Sequence, residues 1–283
     1  MSAVAEKPVE SPTAASEHHS HGGVLRTADA NRIFYADHAA AYDGAEHCIA
    51  QADLREKLAA ILARAIAAGS TADPRTLDAC GGTGNVSELL ARRGIATTLV
   101  DVSPEMLARW RSKADRLGVA ADAIEGEIDS FLAADEREWD LIVFSSALHH
   151  LDDPAAVAEL AYGRLAPGGV LVTAFDPIRT TDATSRRLRR FDYLLSLVLN
   201  PRSLGAALRR RSGDEVNVGD IAERHALHGI DDAAIAARLE AGGAEIVERG
   251  RYACQRYRIT ERLIRATGRA TTFHLIVRKP VVE

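Results

Sequence analysis

Three groups of residues in this 283-residue chain could do chemistry. The first is Leu77-Asp78-Ala79-Cys80-Gly81-Gly82-Thr83-Gly84, a short apolar run that ends in glycines. Glycine lets a backbone touch a ligand and adopt dihedrals that a Cβ forbids. The helix that follows such a turn adds amide donors and a positive dipole end. The second is Asp101, which ends the β-branched run Ala96–Val100, 17 residues after Gly84. A carboxylate there can accept both hydroxyl protons of a ribose; it can also simply cap the next helix. The third is His149-His150 with Asp176, all at the ends of later apolar runs. Imidazole is the usual general base near neutral pH, and a carboxylate can orient it. Either histidine can equally bond backbone or pack, and Asp176 before Pro177 can be a turn residue.

These groups need a scaffold that brings strand ends together. Thr76–Ala79, Ala96–Val100, 121–125, Leu141–Phe144 and Gly169–Phe175 read as strands. Helices over Asn85–Arg93, from Ser103-Pro104-Glu105 onward, and over 154–165 separate them. Ser103 is a cap and Pro104 a first helical residue. Strands alternating with helices of about ten residues predict a parallel sheet covered on both faces. Ahead of it, Leu54, Leu58, Ile61, Leu62 and Ala65 make one apolar stripe of a helix over 51–69, stopped by Gly69. A shorter helical pattern over 29–50 carries Phe34, Tyr35 and Tyr42. After Pro177 the alternation breaks into a mostly helical stretch, 178–240, and resumes with Ile246–Arg251 and Thr271–Val277.

In a doubly wound sheet the ligand sits beyond the carboxyl ends of the strands, where strand order reverses. The glycine turn and Asp101 both lie there, in the order and spacing of a nucleoside cofactor site. A dinucleotide loop, G-x-G-x-x-G, fits poorly: counted from Gly82 its third glycine is Ser87, and counted from Cys80 its first glycine is missing.

At these residues the sequence resembles the class I S-adenosylmethionine (SAM)-dependent methyltransferases. Leu77–Gly84 is similar to that family's LDxGCGTG loop, with Cys80-Gly81 where Gly-Cys is usual. Val100-Asp101-Val102-Ser103-Pro104-Glu105-Met106-Leu107 is similar to its VDxSPEML segment. Asp140–Leu151 resembles its fourth-strand motif, and Leu165-Ala166-Pro167-Gly168-Gly169-Val170-Leu171 its LxPGGxL turn. The resemblance covers roughly residues 31–177. It implies an α/β fold: a seven-stranded, mostly parallel Rossmann-like sheet with helices on both faces, N-terminal lid helices and a helical insertion after the fifth strand. It implies SAM as cofactor, held by Tyr35, Asp78, Cys80, Gly82, Gly84, Asp101, Val102, Met106, Glu127, Ile128 and Ser145. Glu127 stands where the family commonly has an Asp that meets the adenine amino group. His149, His150 and Asp176 are the catalytic candidates, and no metal is expected.

Composition narrows the partners. The net charge is −5, with 47% hydrophobic and 27% charged residues and a pI near 6.1, as in an ordinary soluble domain. Nucleic acid is not expected as partner, although Arg249, Arg251, Arg256, Arg258, Arg262, Arg265 and Arg269 make the C-terminal region basic. Cys48, Cys80 and Cys254 are far apart in sequence with no CxxC pair, which predicts neither disulfides nor zinc and fits a cytoplasmic protein. Residues 1–28 read as a disordered tail, its His18-His19-Ser20-His21 included, and 29–283 as one domain. Within it, 178–240 is a substrate-lid insertion. There Phe191, Tyr193, Leu194, Leu195, Leu197, Val198 and Leu199 lie between arginine pairs Arg186-Arg187, Arg189-Arg190 and the run Arg209–Arg211. That composition suits a small, apolar or aromatic acceptor, or peripheral contact with a membrane surface. A nicotinamide-dependent oxidoreductase and a non-catalytic SAM-binding protein are the competing readings.

Overall fold

The computed structural model describes residues 25–180, 182–199, 218–222, 225 and 228–281. Most of the expected tail, with His18, His19 and His21, and the run Arg209–Arg211 lie outside the described residues.

Seven strands form one sheet: β1 (Thr76–Ala79), β2 (Thr97–Asp101), β3 (Asp122–Glu125), β4 (Trp139–Ser145), β5 (Leu165–Pro177), β6 (Glu245–Tyr252) and β7 (Thr272–Arg278). Their order is β3-β2-β1-β4-β5-β7-β6, with β7 antiparallel to both neighbours. Strand order reverses between β1 and β4, which is the point where such sheets bind ligands. The register there matters. Ala79 pairs with Val100 on one side and with Phe144 on the other. The residues just beyond these partners, Cys80, Asp101 and Ser145, therefore emerge at one level.

The central strands are buried on both sides, so they read as apolar runs rather than alternating ones. One face packs under α4 (Ala52–Ala68), where Leu54, Leu58, Ile61 and Leu62 are each at most 1% exposed and meet Val143, Val172 and Ile276. Fully burying each such side chain is worth about 1.5–3 kcal/mol. The short helix α5 (Asn85–Ala91) joins that face through Val86 and Leu90. On the same face α6 (Pro104–Leu117) seats Trp110 over Leu99, which shares its side of the sheet with Val143, and α6 is capped as expected by the Ser103 hydroxyl accepting from the Met106 N–H. Two further helices, α7 (Ile128–Ala134) and α8 (Pro154–Gly163), cover β4 and β5.

Ahead of α4 run three short helices, α1 (Thr27–His38), α2 (Tyr42–Ala45) and α3 (His47–Ala50). After β5 come α9 (Ala183–Leu199), α10 (Val218–Ala222) and α11 (Asp232–Ala241). The expected insertion, 178–240, thus takes in α11, which packs on α8 and β6 as a layer helix of the sheet rather than as a lid. The helix α12 (Arg258–Ala266), between β6 and β7, is not foreshadowed by the sequence pattern. It leaves Ile259 and Leu263 exposed and buries Thr260, Glu261 and Ile264. It packs on α9, with the Thr260 hydroxyl donating to Asp192.

Two sequence expectations change here. The cysteines spaced far apart are not all apart in space: Cys48 Sγ and Cys254 Sγ stand 3.9 Å from each other. The arginine-rich C-terminal region is largely neutralised within the chain. Arg249 and Arg251 both pair with the buried Asp232, Arg258 with Asp53, Arg265 with Glu261 and Arg269 with Asp182. No helix among the described residues is long and apolar enough to cross a membrane.

Gly84 couples the glycine turn to this core. It caps α5 in the left-handed region, φ +77°, and a Cβ on it would lie 2.3 Å from the Trp110 ring. Gly84→Ala combines a left-handed alanine with overpacking, each costing about 1–3 kcal/mol. The urea midpoint is expected to fall by the equivalent of about 2–4 kcal/mol with an unchanged m-value; a midpoint equal to that of the parent chain would contradict this geometry.

Candidate active site

Asp101 anchors the turn. Its Oδ2 accepts the Gly82 N–H at 2.9 Å and its Oδ1 the Ser103 N–H at 2.9 Å, so one carboxylate ties the glycine turn to the start of α6. Each oxygen keeps a second lone pair for a ligand hydroxyl. Asp78 does the same inside β1: its Oδ2 accepts from the Ser87 N–H at 3.1 Å and the Ser87 hydroxyl at 2.7 Å. Ser87, whose side chain spoils the dinucleotide pattern, is thus what orients the aspartate. Asp78 Oδ1 is buried with no partner among the described residues.

Cys80 keeps the path that glycine usually takes. Its φ is +54°, a left-handed conformation that costs an L-residue about 1–2 kcal/mol. Ser146 (φ +54°) and Phe175 (φ +63°), near the carboxyl ends of β4 and β5, share the same conformation. The non-glycine left-handed residues of the described chain therefore cluster at the ends of three neighbouring strands, where function most often sustains such strain. Gly81 is needed for a different reason: a Cβ there would lie 2.5 Å from Leu99 Cγ and 2.8 Å from Asp78 Cγ.

These strand ends open into a cavity of about 360 Å³, within the range of about 300–1,000 Å³ typical of ligand sites. Tyr35, Asp78, Cys80, Gly82, Asp101, Val102, Met106, Glu127, Ile128 and Ser145 all line it. Gly84 does not; its role is to let Trp110 close under the turn. The roof is N-terminal: Asn31 and Tyr35 of α1, Tyr42 of α2, and Glu46, Cys48 and Ile49 around α3. Asp43 latches this roof to the turn, accepting from the Thr83 hydroxyl at 2.6 Å and pairing with Lys113 at 2.8 Å. Thr27 and Asn31 fix α1 from the other end, donating to Asp152 Oδ1 at 2.7 Å and to the His150 carbonyl at 3.1 Å. None of Asn31, Asp43 and Lys113 carries a sequence signal, because each acts through partners tens of residues away. Glu127 reaches Arg26 at 2.7 Å, so it faces the cavity already paired.

The catalytic candidates separate. His150 lines the cavity, whereas His149 and Asp176 do not. Asp176 is fully buried and accepts from both the His149 N–H, at 3.1 Å, and its Nδ1, at 2.8 Å. A register shift between Ala174 and Asp176 breaks the alternation of β5 there. The His149 ring lies 3.8 Å from that of His150. His150 Nδ1 is 2.9 Å from the Ala222 carbonyl of α10. A carbonyl only accepts, so Nδ1 carries the proton, and in the neutral ring Nε2 accepts from the Tyr35 hydroxyl at 3.1 Å. Asp176 and His149 thus form a buried support beneath a cavity-facing imidazole.

Burial governs the charges. It pushes the Asp78 carboxyl up to about 7, against the hydrogen bonds from Ser87 and helped by the nearby Asp101 charge. It also raises Asp101, opposed by the backbone N–H groups that Asp101 accepts. The Cys80 thiol is driven well above its ordinary value by burial and then by Asp101 and Asp78, and stays protonated.

The Methyltransferase domain family profile matches residues 50–248. A ubiquinone biosynthesis O-methyltransferase of Xylella fastidiosa (strain 9a5c) is 37% identical over 98 residues, 34% of this chain and 39% of its own length. A tRNA 5-carboxymethoxyuridine methyltransferase of Escherichia coli (strain K12) is 34% identical over 103 residues, 36% of this chain and 40% of its own. The alignments thus span about two fifths of these relatives. Among solved structures, magnesium protoporphyrin IX methyltransferase from Synechocystis PCC 6803 with bound SAM superposes with a TM-score of 0.56 at 14% identity, covering 90% of this chain and 98% of that one. At that identity the likeness is one of fold.

The Asp78 shift sets a pH dependence. An unfolded aspartate releases its proton near 3.8, the folded one near 7. Between those values the folded state holds the extra proton, so this group's contribution to stability falls as pH rises. Asp78→Asn removes the effect. The stability of the variant relative to the parent chain is expected to rise between about pH 4 and pH 7, by up to about 1.4 kcal/mol per unit, and to level off above. Urea melts at four pH values measure it; a pH-independent difference would refute the buried, protonated Asp78.

Proposed function

The chain belongs to the class I SAM-dependent methyltransferases, and from that premise we propose that it transfers the SAM methyl group to an oxygen, nitrogen or carbon atom of a small, apolar or aromatic acceptor. The observation that carries this reading is the single cavity in which Asp78, Asp101 and His150 meet beneath a tyrosine-bearing roof.

The residues fit the cofactor. Asp101 has lone pairs left for the ribose hydroxyls, and Val102, Met106 and Ile128 supply apolar walls for a purine. Two buried acceptors on the cavity, Asp78 Oδ1 and Asn31 Oδ1, have no partner among the described residues and suit the ammonium of the methionine part. Glu127 would meet the adenine amino group, in competition with Arg26. Bound SAM supplies an activated sulfonium methyl for an in-line displacement, so orienting the acceptor provides much of the rate.

The chain's own part is orientation and proton removal. His150 Nε2 is the base of this reading: it faces the cavity, and its Nδ1 proton is held by the Ala222 carbonyl, which keeps the Nε2 lone pair directed inward. The Tyr35 hydroxyl occupies that lone pair and gives way to an acceptor hydroxyl or amine, or relays its proton. Asp176 and His149 are positioning residues. Tyr42, Ile49, Leu151, Val157 and Leu160 add apolar and aromatic lining to the cavity. The helix α9 adds exposed Phe191, Leu194, Val198 and Leu199 beside arginines, in keeping with an apolar acceptor or one delivered from a membrane surface.

Two expectations follow. Asp101→Ala loses charge-assisted hydrogen bonds worth about 1.5–3 kcal/mol each, so calorimetry should show SAM affinity reduced at least about tenfold; undiminished affinity would sink the cofactor assignment. In a screen of phenols, quinols and amines that follows S-adenosylhomocysteine formation, His150→Gln should lower kcat by about 10²–10⁴-fold with SAM affinity little changed. A chain that binds SAM and methylates nothing in that screen would be a binding protein rather than an enzyme.

A further inference from the structure

The cofactor cavity leaves one cluster of reactive side chains unused. Cys48 of α3 and Cys254, just beyond β6, are 206 residues apart in sequence and 3.9 Å apart at sulfur. A ring nitrogen of His47 completes a triad whose ligand atoms all lie within 4.8 Å of one another. Both sulfurs are in the core, Cys48 5% and Cys254 6% exposed.

We propose that His47, Cys48 and Cys254 form a binding site for a single thiophilic divalent cation of the zinc class. Two thiolates and an imidazole are a zinc donor set. With metal–sulfur bonds near 2.3 Å, two ligands at the corners of a tetrahedron stand about 3.8 Å apart, close to the 3.9 Å between the two sulfurs.

The surroundings are built for ligation. Glu46 Oε1 stands 2.9 Å from His47 Nδ1 as an ion pair, which puts a carboxylate beside the imidazole. The same oxygen accepts the Cys48 N–H at 3.3 Å, which fixes the start of α3. Across the site, the Thr271 hydroxyl accepts from the Cys254 N–H and donates to its carbonyl, each at 3.1 Å. Both cysteines are thus held by their backbones while the thiols face each other. Three protein ligands leave a fourth position for water or for the Glu46 carboxylate.

The ion would staple the roof to the sheet. Glu46, Cys48 and Ile49 line the cavity, whereas Cys254 follows an outer strand. A cation shared by both segments fixes the roof independently of the Asp43 latch. Deprotonation of both thiols on binding releases protons and leaves the ion and its two thiolates neutral in sum, as a buried site requires.

The test uses the full chain, purified under reducing conditions and freed of metal by dialysis against a chelator. Titrated with Zn²⁺ alone, it should take up one tightly held ion per chain, with a raised Tm. Co²⁺ in its place should give the intense visible bands of a tetrahedral site and a thiolate-to-metal charge-transfer band. Cys48→Ser and Cys254→Ser should each abolish that band, Glu46→Gln should weaken binding about 10–100-fold, and Cys80→Ser should leave the band in place. The thiolate band separates this site from ions held by His18, His19 and His21, which supply no sulfur. Since core cysteine variants can destabilise the chain, the Tm shift of the unaltered chain on adding and chelating zinc is a second readout. The proposal is overturned if the reduced chain binds no zinc, if the cobalt complex lacks the thiolate band, or if the band survives in both cysteine variants. None of these outcomes depends on what the neighbouring cavity binds.

Discussion

One carboxylate holds the site together. Asp101 receives the Gly82 amide with one oxygen and the Ser103 amide with the other, so the turn after β1 and the helix after β2 cannot move apart. Everything else at the carboxyl edge is placed by reference to that junction. Gly81 presses against Leu99 because the turn is drawn toward β2, and Gly84 then packs directly against the Trp110 ring. The cost is electrostatic. Asp101 and Asp78 are both buried, and burial raises both carboxyls. A site that raises the energy of its own anions gains by accepting a cation, and SAM, with its sulfonium and ammonium, is one.

The roof is secured by polar contacts rather than by a broad apolar face. The helix α1 buries little apolar surface: its buried positions are Thr27, Ala30 and Asn31. What ties it down are hydrogen bonds to Asp152 and to the His150 carbonyl, and at α2 the Asp43 bridge to Thr83 and Lys113. These are part-buried hydrogen bonds and one pair with the largely buried Lys113; at about 0.5–1.5 kcal/mol each, a handful of such contacts lets the roof open more readily than a broad apolar face would. That is the behaviour required of an element that must admit a cofactor and an acceptor and then exclude water.

The histidine pair shows how one motif divides its labour. The adjacent residues point to different places: His149 inward to Asp176, His150 outward to the cavity. The irregular register at Ala174 and Asp176, with Phe175 in the left-handed region, accompanies the inward carboxylate. A regular strand would carry the alternation through this point.

Much of this was legible in the residues themselves. The alternation of apolar runs and helices specified the doubly wound sheet, because parallel strands buried on both faces must be apolar throughout. The turn Leu77–Gly84 and Asp101 marked the cofactor end, because glycines and an acid at that spacing have a local backbone reason to be there. Local pattern carried no trace of contacts closed over long separations: Asp43 with Lys113, Asn31 with His150, and Arg249 and Arg251 with Asp232. Nor could it tell that His149 is support and His150 is lining, since adjacent letters do not reveal which way each side chain turns. Gly84 reads as a ligand contact, and the fold also sets it against the Trp110 ring, a packing role that no local pattern foreshadows. The cysteines make the same point most sharply. Their spacing in sequence predicted no contact between them, and the tertiary structure brings Cys48 and Cys254 together by setting the first turn of α3 against the end of β6, two segments that meet only once the sheet and its roof have closed.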